Sequence, residues 1–181
     1  MATSVNFDPA AATLRTLSPG WIVELLVANA VGIFLFYGAI EWRYYRKRVQ
    51  ASRFKYNGKF PAEQPSDVFW FKSQNLDNFL RSYLSGIPMW TLVEVLMLWC
   101  FANHHVYWLN FSEHPYWLAL MLLATPMIHE VNFFCIHRLI HIPILYKWIH
   151  SIHHNSINPS PWSSLSMHPV ETFLYHGVVW W

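Results

Sequence analysis

Apolar and polar positions along this chain fall into long blocks rather than short alternating patterns. Trp21 to Ile40 is a run of twenty residues with one charge, Glu24. A helix of that length reaches across a hydrocarbon core of about 30 Å. A second run goes from Gly86 to about Trp108, interrupted by Glu94 and the polar stretch Asn103, His104, His105. A third goes from Pro115 to Ile136 and contains His129 and Glu130. A fourth starts near Pro169 and runs to Val178-Val179-Trp180-Trp181, the last residues of the chain. The pattern predicts an all-α fold, a multi-span transmembrane helical bundle. The chain stops inside an apolar run and reads as the N-terminal part of something longer. Residues 1–115 form a membrane region with spans at about 21–40 and 86–108, and 116–181 are the beginning of a second domain. Asn155 to Ser164, rich in Pro, Ser and Asn, is a loop by its turn chemistry.

Composition agrees with that pattern. Hydrophobic residues make up 54% and charged residues 12%, about half the charged share of an ordinary soluble domain. Eleven Trp are present, and Trp and Tyr concentrate where a bilayer meets water. The net charge of +2 gives no reason to expect nucleic acid. Cys100 and Cys135 sit inside apolar runs, with no spacing that suggests a disulfide framework or a zinc knuckle. The first nineteen residues, with Asp8 and Arg15, lack the basic start and apolar core of a secretory signal.

Charge placement sets an orientation. Nine of the twelve Lys and Arg lie between Arg43 and Arg81, and none lies between Asn103 and His114. By the positive-inside rule the loop 43–81 is cytoplasmic, the N-terminus is outside, and His137 to His168 face the cytoplasm. The basic loop fixes topology and touches anionic headgroups. Phe69-Trp70-Phe71 and the region of Leu80 are expected in the interface plane, ahead of the second span. His104 and His105 fall on the opposite side of the membrane. Glu24 and Glu94, costly inside a bilayer, are expected to face protein or water; Glu94 and Glu130 are candidates for a substrate channel or for helix packing.

Eight of eleven histidines fall between His129 and His176. His137-Arg138-Leu139-Ile140-His141 is an HxxxH and His150-Ser151-Ile152-His153-His154 an HxxHH. Residues three and four apart share a helix face, so each string offers a cluster of imidazoles. Pro143 ends the first helix, and a second short helix can run from Ile144 to His154. Two helices joined by so tight a turn aim five imidazoles at a shared space. Neutral imidazole suits Zn, Cu, Fe and Ni. A lone histidine here would be an ordinary interfacial residue; five at ligand spacing within eighteen residues are better explained by metal.

The strings His137 to His141, Leu145-Tyr146, His150 to His154 and Pro159, followed by Ser166-Met167-His168-Pro169-Val170-Glu171, resemble the signature of the fatty-acid hydroxylase / sterol desaturase superfamily. The match is tight over about Glu130 to Thr172. The resemblance implies an integral-membrane oxidoreductase with a non-haem di-iron centre, which hydroxylates or desaturates a lipid C–H bond with O2. It makes 116–181 a partial catalytic domain, with short cytoplasmic histidine-bearing helices. It implies His137, His141, His150, His153 and His154 as metal ligands, and His168, Glu171 and Glu130 as residues near the site or orienting its ligands. Family members use eight histidines in three boxes, of which two are present here, so the chain alone is expected to be inactive. The HPxE segment leans towards a sterol or related lipid over a fatty acid.

Other motifs fail. His129-Glu130-Val131-Asn132-Phe133 has Phe where a zinc protease needs its second histidine. His168-Pro169 lacks the glycines of a haem-binding cytochrome b5 motif, so electrons must come from a separate donor of cytochrome b5 or ferredoxin type with its reductase. Pro169 and Glu171 are also ordinary helix-start residues. The competing reading is a membrane zinc protein, a hydrolase or metal transporter, built on the same histidines; zinc can also substitute in an iron site.

Overall fold

The computed structural model describes residues 9–106 and 111–177. Trp108, the expected end of the second span, and Val178 to Trp181, the tail of the fourth apolar run, lie outside these. Among the described residues all regular structure is helical.

A short helix α1 (Pro9–Leu14) leads to α2, which runs as an α-helix over Pro19–Ile40 and continues as a π-helical turn over Glu41–Arg46. Pro19 starts α2, where its missing N–H costs nothing. The next helix, α3, spans Gln74–Ala102 and begins well before the expected Gly86. Ser73 caps its first turn by accepting from Leu76 N, and a π-helical turn at Ser82–Gly86 carries it past the predicted boundary. Leu80 is therefore part of the spanning helix rather than of a separate interfacial segment. The helix stops at Ala102, short of Trp108, because His104 adopts a left-handed φ of 59°. Helix α4 is Pro115–Ile140, longer than expected by the turn that carries His137. Pro143 then starts α5 (143–154), whose middle, Tyr146–His150, is π-helical. A 3-10 turn at Pro161–Leu165 and α6 (Pro169–His176) complete the order.

Among the described residues three helices, Pro19–Arg46, Gln74–Ala102 and Pro115–Ile140, are long and apolar enough to cross a membrane, which makes this a membrane protein with an all-α bundle. Only α3 buries an appreciable share of its apolar stretch, 28%, so it is the central helix. On α2 and α4 the large apolar side chains, such as Leu35, Phe36, Leu122 and Met127, point outwards, as a lipid solvent permits. Glu24 is exposed on α2. Glu94 instead packs two helices together: Asn29 Nδ2 donates to its Oε2 at 2.8 Å and to Thr91 Oγ1 at 3.1 Å.

The two ends of the α2–α3 pair differ. At one, Arg15 O accepts from Trp99 Nε1 and Asn103 Nδ2, both at 3.2 Å, and His104 and His105 follow. At the other, the core is densest. Trp162 is buried among Phe34, Tyr37, Phe79 and Tyr83, with ring centroids 5.0–6.4 Å away. The basic loop reaches this end too, through Asn57 Nδ2 donating to Asn158 Oδ1 at 2.8 Å. Loop 43–81 and the histidine segments therefore lie at the same end of the bundle.

Candidate metal centre

His137 leaves the last turn of α4, and His141 is one turn further on, where the helix ends. Their Nε2 atoms are 3.1 Å apart. The kink at Pro143 folds α5 back, so that His150 and His154 meet them with Nε2 atoms 2.8 Å apart. One ring nitrogen from each of the four lies within 4.8 Å of the others. His153, adjacent in sequence to His154, points elsewhere, because consecutive helical residues diverge by about 100°. Its ring stacks beside His150, 5.8 Å between centroids, and its Nδ1 is buried with no hydrogen-bond partner.

The far nitrogens are held from α6. His150 Nδ1 is 2.7 Å from Glu171 Oε1, with both side chains fully buried. His137 Nδ1 is 3.1 Å from the Tyr175 hydroxyl. Glu171 and Tyr175 are one helical turn apart, so a single face of α6 orients one histidine from each pair. Burial, then the surrounding imidazoles, hold His150 well below the usual imidazole range. His153 and His154 are lowered for the same two reasons. In the tautomer with its proton on Nδ1, a neutral His150 donates to Glu171 and leaves the Nε2 lone pair facing the cluster. This donor set, four imidazole nitrogens converging with a carboxylate behind one of them, fits a transition-metal ion.

His168 caps α6, its Nδ1 accepting from Val170 N at 3.2 Å. Glu130 is 78% exposed beside His129, at 3.8 Å, and touches none of the four. His176 Nδ1 donates to Thr172 O at 2.8 Å, and its ring stacks on Trp90.

A family model for the fatty acid hydroxylase domain matches residues 118–181, the stretch that holds all four converging histidines and Glu171. Residues 118–181 are thus similar to the fatty acid hydroxylase domain. Among curated proteins, a Delta(7)-sterol 5(6)-desaturase of Aspergillus fumigatus is 26% identical over 163 residues, covering 84% of this chain and 45% of its own length. A Delta(7)-sterol 5(6)-desaturase of Gibberella zeae is 34% identical over 67 residues, 35% of this chain and 21% of its own length. A probable Delta(7)-sterol 5(6)-desaturase of Neurospora crassa is 38% identical over 47 residues, 26% of this chain and 14% of its own length. This chain therefore spans less than half of each of these relatives. No solved structure matches it.

Two parts of the site were missed from sequence. Tyr175 carries no motif, and its place four residues after Glu171 was the available signal. The other is a polar stripe on α3. Gln74 Nε2 donates to Asn158 O and Asn78 Nδ2 to Ser163 Oγ, both at 2.8 Å. Ser82 Oγ donates to Trp162 O at 2.8 Å and Ser85 Oγ to Met167 O at 2.9 Å. Gly86 completes the stripe: a Cβ there would run into the carbonyl of Leu165. These contacts fix the segment between α5 and α6, and with it the distance from His150 to Glu171.

Proposed function

We propose that this chain carries the first two ligand groups of a membrane-bound, O2-dependent lipid hydroxylase or desaturase with a di-iron centre. The observation that carries this reading is the convergence of His137, His141, His150 and His154 at one end of three membrane-length helices, inside the part matched by the family. In this reading those four hold one metal. His153, with its buried unpartnered nitrogen, serves a second metal that needs further ligands beyond these five. When bound, iron supplies the redox chemistry needed against an unactivated C–H bond.

The chain's own residues bind and orient. Glu171 fixes the ring of His150 and its tautomer, Tyr175 does the same for His137, and the stripe on α3 holds the segment between them. The apolar outer faces of α2 and α4 give a lipid substrate a path from the bilayer. The names of the relatives favour a sterol. Electrons come from a separate donor of cytochrome b5 or ferredoxin type. The basic loop and the histidines share one end of the bundle, which supports a cytoplasmic site under the positive-inside rule.

The test measures metal content and O2-dependent lipid oxidation with donor and reductase supplied. The protein containing all three histidine boxes should bind about two irons per chain and turn over; residues 1–181 alone should bind one metal tightly and not turn over. His153→Ala should lose one metal and all turnover. Full iron content and full turnover in His153→Ala would overturn the ligand assignment. Activity with zinc and without a reductant would favour the hydrolase reading instead.

A further inference from the structure

A second polar site lies away from the histidines, where α2 ends and α3 begins. Glu41, in the π-helical turn of α2, is 93% buried, and its Oε2 has no hydrogen-bond partner. Its Oε1 accepts from Asn75 Nδ2 at a long 3.4 Å and lies 3.7 Å from Arg46 Nε. The other amide atom, Asn75 Oδ1, is also buried without a partner. Both residues line a cavity of about 340 Å³ whose wall also includes Arg46, Arg48, Tyr45 and Phe60. A buried acceptor without a donor costs free energy, and here two residues that carry such acceptors, on different helices, line the same cavity.

The cavity is much larger than a single water needs, since water takes about 30 Å³ in the liquid. It sits where the apolar run of α2 gives way to basic residues, the level at which lipid headgroups begin. Its chemistry is divided. Glu41 Oε2 and Asn75 Oδ1 ask for a cationic donor with more than one N–H. Arg46 and Arg48 offer guanidinium groups to an anion, and both keep much of their surface in solvent. Arg48 is steadied on the ring of Phe60, 4.4 Å from its centroid, and by Glu63 at 2.7 Å.

We infer that this cavity binds the headgroup of an ethanolamine phospholipid, with the primary ammonium on Glu41 and Asn75 and the phosphate on Arg46 and Arg48. A choline headgroup has no N–H to give the two acceptors, and a glycerol headgroup has no cation. The site therefore selects an amine-bearing phosphate ester, and its place at the end of a spanning helix selects the lipid over the soluble ester.

The test is native mass spectrometry of the intact chain released from nanodiscs with equal parts of ethanolamine, choline and glycerol phospholipid. One ethanolamine lipid should be retained over choline lipid by about ten-fold or more, the worth of a hydrogen bond to a charged group. Glu41→Gln and Asn75→Ala should each remove most of that preference. Asp67→Asn, on the exposed surface, should leave it intact. Arg48→Gln, a half-exposed position that keeps the fold, should weaken retention of ethanolamine and glycerol lipids alike. Metal uptake by the four histidines checks that each variant is folded. Equal retention of ethanolamine and choline lipids, or a preference that survives both Glu41→Gln and Asn75→Ala, overturns the proposal. So does soluble phosphoethanolamine bound as tightly as the lipid, which would move the ligand from membrane to solution.

Discussion

The two histidine pairs present the same chemistry on unequal supports. His137 and His141 stand on the last turn of α4, a helix that packs so little that Ile140 is its only buried residue among those described. His141 itself is exposed. His150 and His154 stand on α5, with His150 wholly enclosed and its outer nitrogen against a buried carboxylate. Behind α5 lies the 155–168 segment, tied to α3 by five side-chain hydrogen bonds. One pair is therefore held by the protein before any metal arrives, and the other depends on its helix, on Tyr175 and on the ring of Tyr146, 5.6 Å from that of His141. Ligand identity is shared between the pairs; preorganisation is not.

The strongest way to break this asymmetry is to remove one ligand from each side. Either His150→Ala or His141→Ala should abolish tight metal binding. Only the first should also damage the metal-free fold, because it leaves Glu171 buried without its partner, at a cost on the order of 3 kcal/mol. The exposed His141 should cost no more than about 0.5 kcal/mol. Unfolding of both metal-free variants in detergent measures the difference, and equal losses would show that the supports are alike.

A subtler change keeps the shape and replaces the carboxyl group. Glu171→Gln still accepts from His150 through its amide oxygen, but no longer strengthens the ring as a ligand. Metal affinity, measured by competition with a chelator, should fall about 10- to 100-fold, the usual effect of losing an orienting carboxylate. Unchanged affinity would mean that packing alone positions His150.

Gly86→Ala tests the support at a distance. Its new Cβ meets the backbone of Leu165, which has no flexible end to yield. Overpacking of this kind costs about 1–3 kcal/mol. The strain should appear as faster proteolysis within 155–168 and as loosened metal binding through the α5 pair. A variant with wild-type stability and proteolysis would place the anchor elsewhere.

What could be read in the sequence follows the same division. Length and hydropathy showed three spans, because a bilayer demands long apolar helices whatever their neighbours. Histidine spacing brought four of five expected ligands together, because that spacing is local geometry. Local geometry also separates His153 from His154, by the angle between adjacent helical positions, and grouping all three histidines of the HxxHH on one face overlooked it. The start of α3 at Gln74 was hidden because its first turns are polar, and the hydropathy run registers only from Gly86. Those polar positions recur at Gln74, Asn78 and Ser82, four apart, and Ser85 follows three later; their partners lie some eighty residues away in sequence. Glu130 looked as well placed as Glu171 by its distance along the chain, but only Glu171 returns to the cluster, since α6 folds back over α5 and the Glu130 turn of α4 faces outwards.

The smallest effect is expected from Tyr175, whose hydroxyl steadies the α4 pair. Its hydroxyl lies 3.1 Å from His137 Nδ1, while its ring is buried against Phe133 with centroids 4.9 Å apart. Tyr175→Phe therefore keeps the packing and removes the hydroxyl from between His137 and Glu171, a loss of about 0.5–1.5 kcal/mol, or about ten-fold in metal affinity. The loss should fall mainly on His137. Nitrogen-15 spectra of the imidazoles should show its tautomer becoming mixed in the metal-free protein, with His150 unchanged on Glu171. If His150 shifts instead, the two pairs are coupled through α6, and the independence of their supports is wrong. If neither histidine shifts, the Tyr175 hydroxyl has no hold on His137, and the α4 pair relies on its helix turn and on Tyr146.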